Sequence, residues 1–218
     1  MDRWIDGWMD KEGYDNDDGE WGMRMDGDED EDTIRMRKQE LRRYMMSLRD
    51  SLSREEMIRA SSIIQEKVLN TDEFNSSSIV GLYSPIGSEV DTSTLARYAI
   101  ENGKVLAYPR IEDRYTMVFT MVLDPAIDLT IGRYGILEPL PSKVVKPDLV
   151  IVPGLVWDED GYRIGYGKGY YDRYLSMNRD AVRIGLAYDF QVLSSIPHSR
   201  MDVRVNMIVT ERRSIRVV

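Results

Sequence analysis

The stretch GYRIGYGKGYYDRYL, residues 161–175, concentrates the chemistry of this sequence. Gly165, Gly167 and Gly169 alternate with Tyr166 and Lys168, and Tyr170, Tyr171, Asp172 and Arg173 follow. Glycine at every second position is costly in a regular element, because it loses more backbone freedom on folding than any other residue. Two readings fit the spacing. In one, bare backbone lets successive N–H groups approach phosphate oxygens while Lys168 adds positive charge. In the other, the stretch is a glycine-rich turn between a strand and a helix. The P-loop pattern is not met: no Ser or Thr follows Lys168, and the four-residue gap between glycines is missing. Asp172 would repel a bound phosphate unless a cation lay between them, a task for magnesium held by one or two carboxylates plus phosphates. As an acid in the first turn of a helix it would equally complement the dipole.

Other groups could share this chemistry. In SPIGSEVDT, residues 84–92, Glu89 follows a strand-like run and has no visible local task, which points to ligand binding, while Asp91 suits a helix cap. In RKQELRR, residues 37–43, Lys38, Arg42 and Arg43 stand at i, i+4 and i+5, a basic patch near a helix start that is equally a solvated face. Tyr83, Tyr108, Trp157, Tyr166, Tyr170 and Tyr171 fall at strand ends or in the glycine stretch. Such rings are ordinary core, and they also suit a flat heterocycle stacked between them.

The elements that must position these residues are readable. Ile34, Leu41, Met45 and Leu48 share one helical face, and SREE at residues 53–56 has the capping-box pattern opening a second helix to about Leu69. SIVGLYSP, KVLAYP and PDLVIVP are apolar runs that reach a proline; TMVFTMV, VRIGLAYD and VNMIVTE are further strand candidates. DTSTLARYAIENG reads as a helix, with Asp91 as cap and Gly103 just past its end. Strands alternating with helices predict an α/β domain over residues 33–218, a mostly parallel sheet covered on both faces. Ligands of such sheets lie beyond the carboxyl ends of the strands, so the loops after Tyr83, Tyr108 and Val152 are the ones expected to carry chemistry.

Composition narrows the class. Of the 218 residues 42% are hydrophobic and 31% charged, ordinary for a globular protein. With no cysteine, disulfides and thiolate metal sites are excluded, and a single histidine, His198, argues against a His-rich metal site. No apolar run nears the ~20 residues of a membrane span, and no secretory signal is evident, so a cytoplasmic location is expected. The net charge of −9 is uneven: residues 1–32 hold 14 acidic and 3 basic side chains, a balance of −11 that leaves +2 on the remainder. That remainder suits an anionic small ligand and lacks the dense basic stripe of a nucleic-acid surface. Residues 1–32 are expected to be a disordered acidic extension. Trp4, Trp8 and Trp21 within it could instead dock on a partner, and Met23, Met25 and Met36 are alternative starts.

VPGLVWDEDGYRIGYGKGYYDRYL, residues 152–175, resembles the signature of the 5-formyltetrahydrofolate cyclo-ligase family, also called methenyltetrahydrofolate synthetase. KQELR (38–42), LSREE (52–56), SEVDT (88–92), YGILEP (134–139) and MDVRVNMIVTE (201–211) extend the likeness over roughly residues 35–212. The resemblance implies a three-layer α/β/α sandwich in a single domain and an ATP- and magnesium-dependent ligase. ATP would phosphorylate the formyl oxygen of 5-formyltetrahydrofolate, the amine at position 10 would attack that carbon, and phosphate would leave. It further implies nucleotide contacts from Lys38, Gln39, Glu40, Leu41 and Arg42 and from Arg163, Ile164, Gly165, Tyr166, Gly167, Lys168, Gly169, Tyr170 and Tyr171. Folate contacts are implied for Tyr83, Ser84, Glu89, Trp157 and the stretch from Tyr166 through Gly167, Lys168 and Gly169 to Tyr170, with Lys168 and Arg163 catalytic. Asp172 and Asp202 match the magnesium positions. The family often has histidine before the second aspartate and another aspartate four residues after it, where this chain has Met201 and Asn206. Small-molecule substrates and a monomer or small homo-oligomer are expected. A non-catalytic nucleotide- or folate-binding protein, or a sugar-phosphate isomerase or CoA transferase of related architecture, are the rivals.

Overall fold

The computed structural model describes residues 30–132 and 135–217. The expectation for the acidic extension therefore falls largely outside the described residues, as does Tyr134 of YGILEP. Glu31 and Asp32, counted with that extension, instead form the first turn of helix α1 (Glu31–Asp50), where two acids suit the positive dipole end. The capping box forms: the Glu56 N–H donates to Ser53 Oγ and the Glu56 carboxylate accepts from the Ser53 N–H, opening α2 (Arg54–Leu69). A short α3 (Asp72–Ser76), capped by Thr71, leads into strand β1 (Ile79–Gly81).

Helix α4 (Ser93–Glu101) ends at Asn102 with Gly103 at φ 71°, as the sequence suggested. Its start corrects the expectation: Thr92 holds the cap position, while the Asp91 carboxylate accepts the Ser93 N–H from one residue further out. β2 (Val105–Ile111) runs through Pro109 rather than stopping at it. The reason is topological. β1 pairs with β2 only as far as Ala107, so beyond that point the strand has one neighbour and a residue without an N–H is tolerated. β3 (Met117–Val122) returns antiparallel, followed by α5 (Pro125–Asp128), the hairpin β4 (Leu129–Ile131) and β5 (Leu137–Pro139), and β6 (Val144–Val145). Then come β7 (Leu149–Val152), β8 (Val156–Asp158), β9 (Arg163–Ile164), α6 (Tyr170–Met177), β10 (Val182–Leu186), β11 (Val192–Leu193), β12 (Met207–Val209) and β13 (Ser214–Arg216).

The main sheet has the order β13-β12-β10-β7-β1-β2-β3-β6. Its centre, from β12 to β2, is parallel, and antiparallel strands close both edges. Side chains alternate across it: Leu149 and Ile151 of β7 join the core under α2 and α4, and Val150 and Val152 join the core on the other face. That second face differs from a plain helical layer. It is covered by α6 together with a three-stranded sheet, β11-β8-β9, and α1 packs on this small sheet through Met45, Leu155, Val156 and Ile164. Among the described residues no helix is long and apolar enough to cross a membrane.

Trp157 sits between the two sheets and decides how closely they approach. It is 0% exposed, and its ring lies against Gly185 of β10, where a Cβ would come within 2.3 Å of the indole. Gly185→Ala is therefore expected to lower stability by about 2 kcal/mol, the usual size for overpacking a filled core. Urea unfolding measures this; an unchanged midpoint would show that the indole has room to move.

Candidate active site

Four pieces of chain meet at the carboxyl ends of β1, β2 and β7 and enclose a cavity of about 500 Å³. These pieces are one face of α1, the loop from β1 to α4, the glycine stretch between β9 and α6, and the segment before β12, with the hairpin β4–β5 adding Ile136 and Glu138. The size is within the range of small-molecule sites.

One part of the wall is charged. Lys38 and Arg42 stand four residues apart on α1 and so point the same way. Lys38 Nζ donates to Asp202 Oδ2 at 2.5 Å, and Arg42 Nε donates to the Gly165 carbonyl at 2.7 Å. Burial pushes Asp202 upward, but the Lys38 and Ser199 hydrogen bonds outweigh it and hold its carboxyl below the ordinary range. Arg163 Nη2 lies 3.1 Å from Asp172 Oδ1, and the Val203 N–H donates to the same oxygen at 3.1 Å while the Val203 carbonyl accepts from Arg163 Nη1. Because Val203 follows Asp202 in the chain, these bonds bring Asp172 and Asp202 to one wall.

The glycine loop takes shape from outside itself. Gly167 and Gly169 have φ of 88° and 66°, conformations that disfavour side chains, whereas Gly165 is not in that region. Gly169 caps α6, so the loop delivers Lys168 just before a helix N-terminus. Arg173 Nη2 donates to the Lys168 carbonyl at 2.9 Å and Arg173 Nε to the Tyr115 carbonyl at 2.8 Å, tying the loop to the β2–β3 turn.

The rest of the wall is largely apolar, with Ile86, Pro109, Ile111, Met117 and Pro153 around the buried carboxylate of Glu89; Glu138 is buried in the same lining. Glu89 Oε2 accepts the Ile86 N–H at 2.9 Å, so Glu89 has a local task after all. Among the described residues Oε1 completes no hydrogen bond. Burial raises the Glu89 pKa, opposed by the Ile86 N–H, by Arg49 and by the Tyr166 hydroxyl. The Ser84 hydroxyl is likewise buried without a hydrogen bond among the described residues. Tyr83 packs beside it with its hydroxyl donating to the Val90 carbonyl.

Of the positions singled out in the sequence, the cavity gathers Lys38, Arg42, Tyr83, Ser84, Glu89, all nine residues from Arg163 to Tyr171, Asp172 and Asp202. Others, Arg43 among them, do not line it. Gln39 and Glu40 are exposed on α1 and Leu41 packs on the small sheet, because successive helical residues turn about 100° away from the Lys38–Arg42 face. Trp157 is core, as the pairing of β8 with β9 and β11 encloses it. Tyr108 is also core. Arg49 went unread; its only signal was the spacing of seven from Arg42 on the same helical face. Asn206 does not line the cavity: its Oδ1 accepts from the Arg183 N–H and Nε, fastening β10 beside β12.

For a divalent cation, Asp172 and Asp202 offer two carboxylates on one cavity wall. Asp172 is engaged through Oδ1 and Asp202 through Oδ2, so among the described residues the other oxygens keep lone pairs for a ligand. No group of three or more metal-ligating side chains occurs among the described residues. This donor set fits magnesium, which takes one or two carboxylates and completes its shell with water and phosphate, and does not fit an all-protein cage.

A model of the 5-formyltetrahydrofolate cyclo-ligase family matches residues 34–211. A Caenorhabditis elegans protein named probable 5-formyltetrahydrofolate cyclo-ligase is 31% identical over 195 residues, covering 82% of this chain and 94% of its own. Among solved structures, the Aquifex aeolicus 5,10-methenyltetrahydrofolate synthetase is similar with a TM-score of 0.74 and 36% identity, over 83% of this chain and 92% of that one. The Mycoplasma pneumoniae 5,10-methenyltetrahydrofolate synthetase is similar with a TM-score of 0.66 and 25% identity, over 80% and 98%.

Gly169→Ala tests whether the loop is held as described, since its Cβ would fall 2.8 Å from Arg173 Nη1 at a φ of 66°. The variant is expected to lose about 1–2 kcal/mol in urea unfolding and to exchange its amides faster across residues 165–169. Unchanged exchange would show that the Arg173 tether does not set the loop.

Proposed function

This chain belongs to the 5-formyltetrahydrofolate cyclo-ligase family, and we propose that it converts 5-formyltetrahydrofolate to 5,10-methenyltetrahydrofolate, consuming ATP in a magnesium-dependent reaction. The observation that carries this reading is that one cavity is lined both by the glycine–lysine loop with its two carboxylates and by the buried Glu89. A phosphate donor and a flat heterocycle with N–H groups can therefore meet in it.

In this reading Glu89 Oε1 accepts N–H donors of the pterin, and Ile86, Pro109, Ile111 and Met117 cover the ring. Tyr166 closes the ring from the glycine-loop side. Lys168, Lys38 and Arg42 face the phosphates. The reaction needs positioning and charge neutralisation more than covalent help from the protein, as phosphoryl transfer generally does. The formyl oxygen takes the terminal phosphoryl group, the bond to the ADP oxygen breaks, and ADP leaves. Nitrogen 10 then bonds to the formyl carbon and loses its proton, and the carbon–oxygen bond to phosphate breaks to release inorganic phosphate. Magnesium, held by Asp172 and Asp202, would supply neutralisation of the phosphate charge. Arg163 keeps Asp172 in place and screens it from incoming phosphate.

The methenyl product absorbs strongly in the near ultraviolet, so one absorbance trace tests the reading. Signal should rise only with 5-formyltetrahydrofolate, ATP and magnesium together, vanish with a chelator and return with added magnesium. No rise at saturating substrates would leave a binding protein rather than an enzyme. Lys168→Ala should lower turnover at least tenfold, about 1.4 kcal/mol of barrier, with an unchanged melting temperature. Loss of stability with intact turnover would reduce the loop to a structural turn.

A further inference from the structure

A buried arginine stands behind the Glu89 wall of the cavity. Arg49 lies in the last turn of α1, where a basic side chain would ordinarily point to solvent near the helix C-terminus, yet it is 3% exposed. Burying a guanidinium is costly unless its donors are met. Here Nε donates to Ser88 Oγ at 2.9 Å, Nη2 donates to the Tyr166 hydroxyl at 2.8 Å, and Nη1 lies 3.8 Å from Glu89 Oε1. Ser88 Oγ in turn donates to Asp50 Oδ1 at 2.5 Å. One side chain thus joins α1, the β1–α4 loop and the glycine loop.

The contact with Glu89 differs from the other two in kind. At 3.8 Å the guanidinium attracts the carboxylate but donates no hydrogen bond to it, and Oε1 has no hydrogen-bond partner among the described residues. The guanidinium favours the charged carboxylate against the burial that raises its pKa, while the lone pairs of Oε1 stay available to a ligand donor. Among the described residues, the titratable and charged groups that act on Glu89 include Arg49 from α1, Tyr166 from the glycine loop, Tyr83 after β1 and Tyr171 on α6, with Asp50 one step further out on Ser88.

We infer that Arg49 is a positioning residue for substrate recognition: it fixes Glu89 and the Tyr166 hydroxyl as a pair and keeps Glu89 ionised for N–H donors of the substrate. The inference rests on the reading of Glu89 as the folate-binding carboxylate. It assigns Arg49 to the folate side alone, since Lys38 and Arg42, further up the same helix, face the charged part of the wall. Burial pushes Glu89 toward its neutral form, and a neutral carboxyl in the same place would accept N–H donors less well.

The ligand-free protein reads the first half of this. Carbon-13 titration of the Glu89 side chain should show its midpoint rising by about one pH unit or more in Arg49→Met, the scale set by losing an adjacent opposite charge, and by less in Arg49→Lys. Ser88→Ala, which removes a partner of Arg49 without altering the cavity wall, should raise it in the same direction by a smaller amount. Kinetics reads the second half. In Arg49→Met the KM for 5-formyltetrahydrofolate should rise about tenfold, and the KM for ATP should stay within about twofold. The acid limb of kcat/KM for the folate should move to higher pH. An unmoved Glu89 midpoint, or a parallel rise of both KM values, would overturn the inference and reduce Arg49 to packing. If Arg49→Met unfolds, Ser88→Ala and Arg49→Lys decide by the same two readouts. Glu89→Gln separates the two ideas: an unchanged folate KM there would sink the reading of Glu89, while the titration would still report on Arg49.

Discussion

The glycine loop cannot hold its own path, so its shape depends on arginines that grip it from neighbouring elements. Arg42 takes the Gly165 carbonyl, Arg173 takes the Lys168 carbonyl, and Arg49 takes the Tyr166 hydroxyl. In a trans peptide the N–H of the next residue points opposite to the carbonyl. Gripping the carbonyls of residues 165 and 168 therefore turns the N–H groups of Tyr166 and Gly169 away from those cations. Arginine suits this work because it stays charged even where burial lowers its pKa, as at Arg42. The entropy lost by three glycines is offset by rigid elements that the loop itself does not contain.

This dependence explains what the sequence could and could not reveal. Secondary structure was legible where the cause is local. Ser53 and Glu56 make a capping box from residues three apart, and Gly103 ends a helix through its own φ. Lys38, Arg42, Glu89 and the loop from Arg163 to Asp172, which the cavity gathers, were legible as candidates, in part through a resemblance and in part through charge placed beside strand ends. Arg49 was not, because nothing near it in the chain distinguishes a solvated arginine in a last helical turn from one that folds inward onto Ser88 and Tyr166. Trp157 was misplaced for a related reason. Its burial arises from β8 pairing with β9 and β11, and β11 lies more than 30 residues away. Pro109 misled in the opposite direction, since whether proline ends a strand depends on how many neighbours the strand has.

The same logic bears on Met201 and Asn206. Neither contributes to the cavity: Met201 is exposed, and Asn206 spends its carbonyl oxygen on Arg183. Asp202 keeps its place through contacts of its own, with Lys38 and with the N–H and hydroxyl of Ser199. The segment before β12 is fixed from another side by Val203, which bonds both Asp172 and Arg163. Changes on either side of Asp202 therefore leave the carboxylate where the proposed chemistry uses it.

Charge balance ties these pieces to the proposed reaction. Lys38, Arg42, Arg163 and Lys168 bring four positive charges to the charged wall, and Asp172 and Asp202 bring two negative ones. Lys38 is matched by Asp202 and Arg163 by Asp172. The net surplus of the charged wall, four positive against two negative, is smaller than the charge of a fully ionised triphosphate. In the proposed reaction a divalent cation at the same two carboxylates would close that gap, with Arg163 still holding Asp172 in place. The two ion pairs also order the site. They keep the carboxylates from repelling one another, and they hold Lys38 within reach of the loop before the nucleotide arrives. Such preorganisation matters most where water is excluded, because there each misplaced charge costs more than it would in solvent.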